Sequence, residues 1–164
     1  QGSQDVVGVA DVVDAALLRA AYWLNDVRVG FARYRIGRNA ELRVVDDQRG
    51  CPTAAADLAR ALVVIARGML TDPAAVAGTY HFANAGATTW FRFAQAIFAR
   101  AKAHGLDVPR VVPIPTSGYP TRATRPANSE LDCSKAVATF GVRRPPWRDS
   151  LPPVVDAILA QRDA

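Results

Sequence analysis

The sequence predicts an α/β fold in which short parallel strands are covered by helices. Three observations carry that expectation. Short runs of β-branched and aliphatic residues alternate along the chain with longer segments whose apolar residues recur at helical spacing. Gly, Pro, Asn and Asp cluster between these segments, where turns belong. Half of the 164 residues are hydrophobic and 21% are charged, which suits one soluble domain with a real core and leaves too little chain for two.

The elements follow in order. Residues 11–24 (DVVDAALLRAAYWL) carry apolar residues at helical spacing and predict an amphipathic helix. Residues 25–38 form a basic stretch in which Phe31 and Tyr34 stand among Arg28, Arg33, Arg35 and Arg38. Leu42–Val45 predicts a strand closed by Asp46-Asp47-Gln48-Arg49-Gly50. Thr53 stands where an N-cap belongs, ahead of a helix from Ala54 to about Met69, and Asp57 falls in its first turn beside the positive end of the helix dipole. Gly68 and Asp72-Pro73 mark its end. Gly78–Asn84 predicts a second strand, followed by a turn at Ala85-Gly86. Thr88 or Thr89 then caps a helix over Trp90–His104, with Gly105 as its stop. Val108–Pro115 predicts a third strand, and Thr116–Ser129 a loop rich in Pro, Thr and Arg. A short helix over Cys133–Phe140 ends at Gly141, and a last helix runs from Asp149 or Ser150 to about Gln161.

Composition narrows the function. The net charge is +5, and of twenty basic residues only Lys102 and Lys135 are lysines. Arg19, Arg60, Arg67, Arg92 and Arg100 are spread through predicted helices, where a solvated outer face accounts for them, and guanidinium groups suit an anionic ligand. Arginines interleaved with aromatics can grip single-stranded nucleic acid. The 25–38 stretch is short and isolated, so no nucleic-acid partner is expected. No apolar run approaches bilayer length and the first residues lack a signal-peptide layout, so no membrane partner and a cytoplasmic location are expected. Cys51 and Cys133 have no CxxC partner, which leaves two packed, inert thiols as the expectation, and neither they nor His81 and His104 make a metal set.

Absent motifs are equally informative. A dinucleotide turn needs closely spaced glycines so that the backbone can approach the pyrophosphate. No two of the eleven glycines here are closer than Gly2 and Gly8. A Tyr-x-x-x-Lys pair, whose lysine lowers the phenol pKa for proton donation, is also missing: Phe98 and Leu131 stand four residues before the two lysines. Neither a Gly-x-Ser-x-Gly elbow nor a His-Glu-x-x-His pair occurs. No catalytic residue is therefore assigned.

Three segments remain. Asp47–Thr53 joins a strand to a helix, and in open α/β sheets the strand ends hold the ligand. There Gln48 and Thr53 offer hydrogen-bonding groups, although a plain turn with a helix cap accounts for the same residues. In the 122–129 loop, Arg125 precedes a proline that holds it extended, and its fork suits a diphosphate, with Asn128 and Ser129 beside it. A solvent-facing loop arginine is the plainer account. Asn84–Phe93 brings Trp90 and Phe91 to the start of a helix, where the rings either stack on a base or join the core.

Together these segments resemble the C-terminal part of the dTDP-4-dehydrorhamnose reductases, members of the extended short-chain dehydrogenase superfamily. The resemblance runs from Leu42-Arg43-Val44-Val45-Asp46-Asp47-Gln48-Arg49-Gly50-Cys51-Pro52-Thr53 through Gly78-Thr79-Tyr80-His81-Phe82 and Thr89-Trp90-Phe91. It closes on Arg125-Pro126-Ala127-Asn128-Ser129, Leu131-Asp132, Lys135 and Pro146-Trp147-Arg148. It implies a partial NAD(P)-binding Rossmann-type reductase: a C-terminal substrate-binding region over residues 41–164, with short parallel strands and four to five helices, preceded by a divergent segment over residues 1–40. Family members reduce the 4-keto group of a dTDP-6-deoxyhexulose with NADPH on the way to dTDP-L-rhamnose. The resemblance thus implies a dTDP-sugar ligand, with Arg125 near the diphosphate, Asn128 and Ser129 beside it, and Gln48, Pro52 and Thr53 toward the sugar. NADPH belongs to the full-length family and is not expected to bind this chain alone. A half-domain exposes an apolar face, so self-association or a covering partner is also expected. The competing expectation is a non-catalytic regulatory or binding module of the same fold, as in the regulatory subunit of methionine adenosyltransferase.

Overall fold

The computed structural model describes residues 41–71, 78–119 and 124–160. The helix expected over residues 11–24 and the basic stretch over 25–38 lie outside them. Described in order are β1 (Glu41–Val45), β2 (Arg49–Gly50), α1 (Ala55–Thr71), β3 (Thr88–Thr89), α2 (Trp90–Ala103), β4 (Arg110–Ile114), a 3-10 turn (Thr116–Gly118), α3 (Ser134–Phe140) and α4 (Trp147–Ala160). β1 and β4 pair in parallel, from Glu41 opposite Arg110 to Val45 opposite Ile114. β2 and β3 pair antiparallel, Arg49 opposite Thr89 and Gly50 opposite Thr88. The parallel pairing and the helix–strand alternation agree with the expected α/β class.

Sequence periodicity explains the packing. Phe93, Ile97 and Ala101 recur every four residues on α2 and are its buried stripe. Phe93 and Ile97 meet Trp147, Val155 and Leu159 of α4 in the larger core cluster, and Phe93 lies edge-on to Trp147 with ring centroids 5.6 Å apart. Full burial of each large apolar side chain stabilises by about 1.5–3 kcal/mol, so this α2–α4 seam is the main apolar anchor. A second cluster joins Ala61 of α1 to Ala136 and Val142, flanked by Tyr80 and Phe140. Its residues are small because the helices come close: a Cβ on Gly68 would sit 2.9 Å from a Phe140 ring carbon.

The caps of α2 are as expected. Thr89 accepts the Arg92 N–H at 3.2 Å. At the other end Gly105 takes φ +78°, with its N–H on Lys102 O and the Leu106 N–H on Ala101 O, a paired arrangement that satisfies two terminal carbonyls. α3 likewise ends at Gly141 with φ 65°.

Two expectations need correction. Gly78–Asn84 is not a ladder strand. Side chains take the groups a neighbouring strand would have used: Lys135 Nζ donates to Thr79 O, Arg144 Nε to Ala83 O at 2.8 Å, and the Asn84 N–H goes to Thr53 Oγ1. The last helix starts at Trp147, ahead of Asp149. Pro146 O gathers the Asp149 and Ser150 amides, and Trp147 N–H binds Ala85 O, so the first turn closes earlier than the cap residues indicate.

Candidate ligand site at the carboxyl ends of the parallel strands

Because β1 and β4 run parallel and end opposite each other at Val45 and Ile114, the segments leaving them emerge side by side. Asp47 and Thr116 meet there. The Asp47 carboxylate accepts the Thr116 N–H at 3.0 and 2.9 Å and its hydroxyl at 2.6 Å. The Thr116 hydroxyl bond, and then its backbone bond, hold the Asp47 carboxyl below its ordinary value of 3.8. Gln48 is buried, and its Nε2 donates to Thr116 Oγ1 at 3.1 Å. Beside them Asp46 accepts the Thr89 hydroxyl, whose oxygen also caps α2, so the helix N-terminus is tied to the end of β1.

The next residues join two segments that are far apart in the sequence. Arg49 N–H donates to Ala127 O at 2.8 Å, and Ser129 N–H returns to Arg49 O at 2.9 Å. The Ser129 hydroxyl reaches the same oxygen, also at 2.9 Å. A Cβ on Gly50 would lie 2.8 Å from Ser129 Oγ, so the absence of a side chain is what lets the two segments touch.

The six expected site residues therefore divide. Gln48, Asn128 and Ser129 gather around β2. Asn128 spends its Oδ1 on the Glu130 amide at 3.1 Å, which fixes the local turn. Arg125 is exposed on the same segment and has no ion pair among the described residues, so its fork is available to an anion. Pro52 is buried and, with Thr53, lines an apolar cavity beside Phe93 and Trp147. The Thr53 hydroxyl does not cap α1: it donates to Cys51 O and accepts the Asn84 N–H, while the free Ala54 N–H goes to Asn84 Oδ1 at 3.2 Å.

Sequence patterns missed Thr116 and the buried cluster around Asn84. Asn84 is fully buried, and its Nδ2 lies 2.6 Å from Asp57 Oδ2 and 3.0 Å from both Pro145 O and Ser150 Oγ. Asp57, expected to serve the helix dipole, is the acceptor that locks α1 to α4. Trp90 and Phe91 are both half-buried. Burial pushes the Cys51 thiol above 9.0, and Cys133 is buried, in keeping with inert thiols. Among the described residues no helix is long and apolar enough to cross a membrane.

A parallel strand pair with helices packed around it is an α/β arrangement of the Rossmann kind. The family model described as the RmlD substrate binding domain matches residues 9–160, and the chain belongs to that family. The match reaches well into the segment that precedes β1. Over 125 residues the chain is 42% identical to a dTDP-4-dehydrorhamnose reductase of Sinorhizobium fredii (strain NBRC 101917 / NGR234), covering 75% of this chain and 42% of that protein. It is 36% identical over 140 residues to the reductase of Aggregatibacter actinomycetemcomitans, covering 82% of this chain and 48% of the relative. A dTDP-4-dehydrorhamnose reductase crystal structure from Clostridium acetobutylicum superposes with a TM-score of 0.64 at 26% identity, over 97% of this chain and 46% of that one. The Bacillus anthracis reductase in complex with NADP gives 0.60 at 29% identity, over 82% of this chain and 42% of that one. The chain thus spans less than half the length of these relatives.

Proposed function

We propose that this chain, chiefly through residues 41–164, is the nucleotide-sugar-holding part of a dTDP-4-dehydrorhamnose reductase and takes a dTDP-6-deoxysugar at the carboxyl ends of β1 and β4. One observation carries the proposal: the 47–53 and 125–129 segments, both bearing ligand-suited groups, are hydrogen-bonded to each other at that edge. Arg125 is the diphosphate contact, since a guanidinium fork matches phosphate oxygens bidentately. Gln48 faces the sugar, and Asn128 and Ser129 shape the loop that carries Arg125. Family membership supports the same ligand class.

The residues present do not fit NADPH. The turn after β1 contains Gly50 alone, where a dinucleotide turn needs several glycines, and no Tyr-x-x-x-Lys pair occurs in these 164 residues. No reduction step is therefore assigned to this chain's side chains.

Calorimetric titration of the purified chain with dTDP and with dTDP-L-rhamnose tests the proposal. Both should bind, and Arg125→Ala should weaken both about tenfold or more, since a hydrogen bond to a charged group contributes about 1.5–3 kcal/mol. No binding to wild type, or binding indifferent to Arg125→Ala, overturns it. Oxidation of NADPH by the isolated chain in the presence of the keto sugar would contradict the separation of binding from reduction.

A further inference from the structure

The hydrogen bonds around Gln48 have a fixed direction, set by a charge two bonds away. An ionised carboxylate accepts and cannot donate. Asp47, held below the ordinary carboxylate range, stays ionised at neutral pH and takes both the Thr116 N–H and the Thr116 hydroxyl proton. A threonine hydroxyl has one proton. With it given to Asp47, Thr116 Oγ1 has only lone pairs for Gln48, so the group facing it at 3.1 Å must be the NH2. Shape alone does not distinguish the two ends of a carboxamide; here the bonding chain does. Gln48 is only 8% exposed, so packing opposes its rotation. Its Oε1 has no hydrogen-bond partner among the described residues and is not sealed from solvent.

We propose that Asp47 and Thr116 are positioning residues that hold the Gln48 carboxamide with its oxygen toward the ligand, making this a subsite for a hydrogen-bond donor, namely a sugar hydroxyl. The inference rests on the nucleotide-sugar reading above and deepens it. A bare keto oxygen or a second phosphate offers only lone pairs and is disfavoured against Gln48 Oε1. A hydroxyl is matched to it.

The test compares two probes on the full chain, dTDP-L-rhamnose and dTDP, which differ by the sugar. Thr116→Val keeps the side-chain shape and removes the hydroxyl. It should weaken dTDP-L-rhamnose roughly tenfold while leaving dTDP within about twofold, and Thr116→Ser should restore the sugar affinity. Asp47→Asn, which can donate as well as accept, frees the hydroxyl proton to turn toward Gln48 and should give the same sugar-selective loss. Thermal melts accompany each variant; if Thr116→Val does not fold, Asp47→Asn and Thr116→Ser decide. Equal weakening of both probes, or unchanged sugar affinity in Thr116→Val and Asp47→Asn, overturns the inference while the ligand reading stands. Wild type that binds neither probe overturns the ligand reading itself.

Discussion

Asn84→Ala should destabilise the protein by about 4 kcal/mol. The side chain is fully buried and connects three parts of the fold: the start of α1 through Ala54 and Asp57, the turn at Pro145, and the first turn of α4 through Ser150. Alanine removes a donor to the buried Asp57 carboxylate, a bond of the charged kind worth about 1.5–3 kcal/mol. It also strips partners from Ala54 N–H and Pro145 O, each costing about 1 kcal/mol or more if water does not replace them. Against a total stability of about 5–15 kcal/mol, this is a large fraction. Urea denaturation followed by circular dichroism measures it: with a slope of about 2 kcal/mol per molar, the midpoint should fall by about 2 M. Asn84→Asp is the sharper control. It preserves shape but sets a second carboxylate against Asp57, so it should be least stable at neutral pH and recover as pH falls and one of the pair takes a proton. A loss below 1 kcal/mol for Asn84→Ala would refute the assignment of the cluster as the tie between α1 and α4.

Three further outcomes follow from the same geometry. Gly50→Ala should push the Ser129 hydroxyl off Arg49 O, lowering stability by about 1 kcal/mol in thermal melts; in a Ser129→Ala background, where that bond is already absent and nothing is left to clash, Gly50→Ala should cost much less. Asp156 is held at about 2 by Arg100, with His104 adding a second contact. Because its folded pKa lies below the ordinary 3.8, its contribution is complete above that value and is lost as pH falls toward 2. Asp156→Asn should flatten the melting-temperature profile in that window and leave an unchanged acid slope only if the pair is idle. Cys51, with its thiol raised by burial, and buried Cys133 should both react slowly with a disulfide reagent at pH 8 and rapidly in denaturant. Fast native labelling of Cys51, which is half-buried, would contradict the raised thiol.

What the sequence disclosed was mostly local. Helix α2 was legible from its period, its Thr89 cap and Gly105, because each signal lies within a turn or two of the element it controls. β1 and β4 were legible as apolar runs ending in polar turns. Gly78–Asn84 read as a strand because its alternation is strand-like, but extended backbone becomes sheet only with a neighbour. Here Arg144, Lys135 and Thr53 take the backbone groups instead. Thr53 and Asp57 show the same limit: both sit at cap-like positions, yet their partner is Asn84, 31 and 27 residues away. At the site, the 47–53 and 125–129 segments were each legible as ligand-suited loops. That they touch through Arg49 and Ser129 depends on a Gly50 whose neighbour is 79 residues further along the chain, and no local pattern announces it. Thr116 went unnoticed for the same reason, being one threonine in a polar loop until β4 pairs with β1 and sets it against Asp47.

The central claim is that the carboxyl edge of β1 and β4 holds a nucleotide sugar. Amide chemical-shift mapping of the 15N-labelled chain during titration with dTDP-L-rhamnose tests it most directly. The largest saturable shifts should fall on Gln48, Arg49, Thr116, Asn128 and Ser129, with Arg125 beside them. Shifts centred on the apolar cavity around Phe93 and Trp147, or none at saturating ligand, would contradict it.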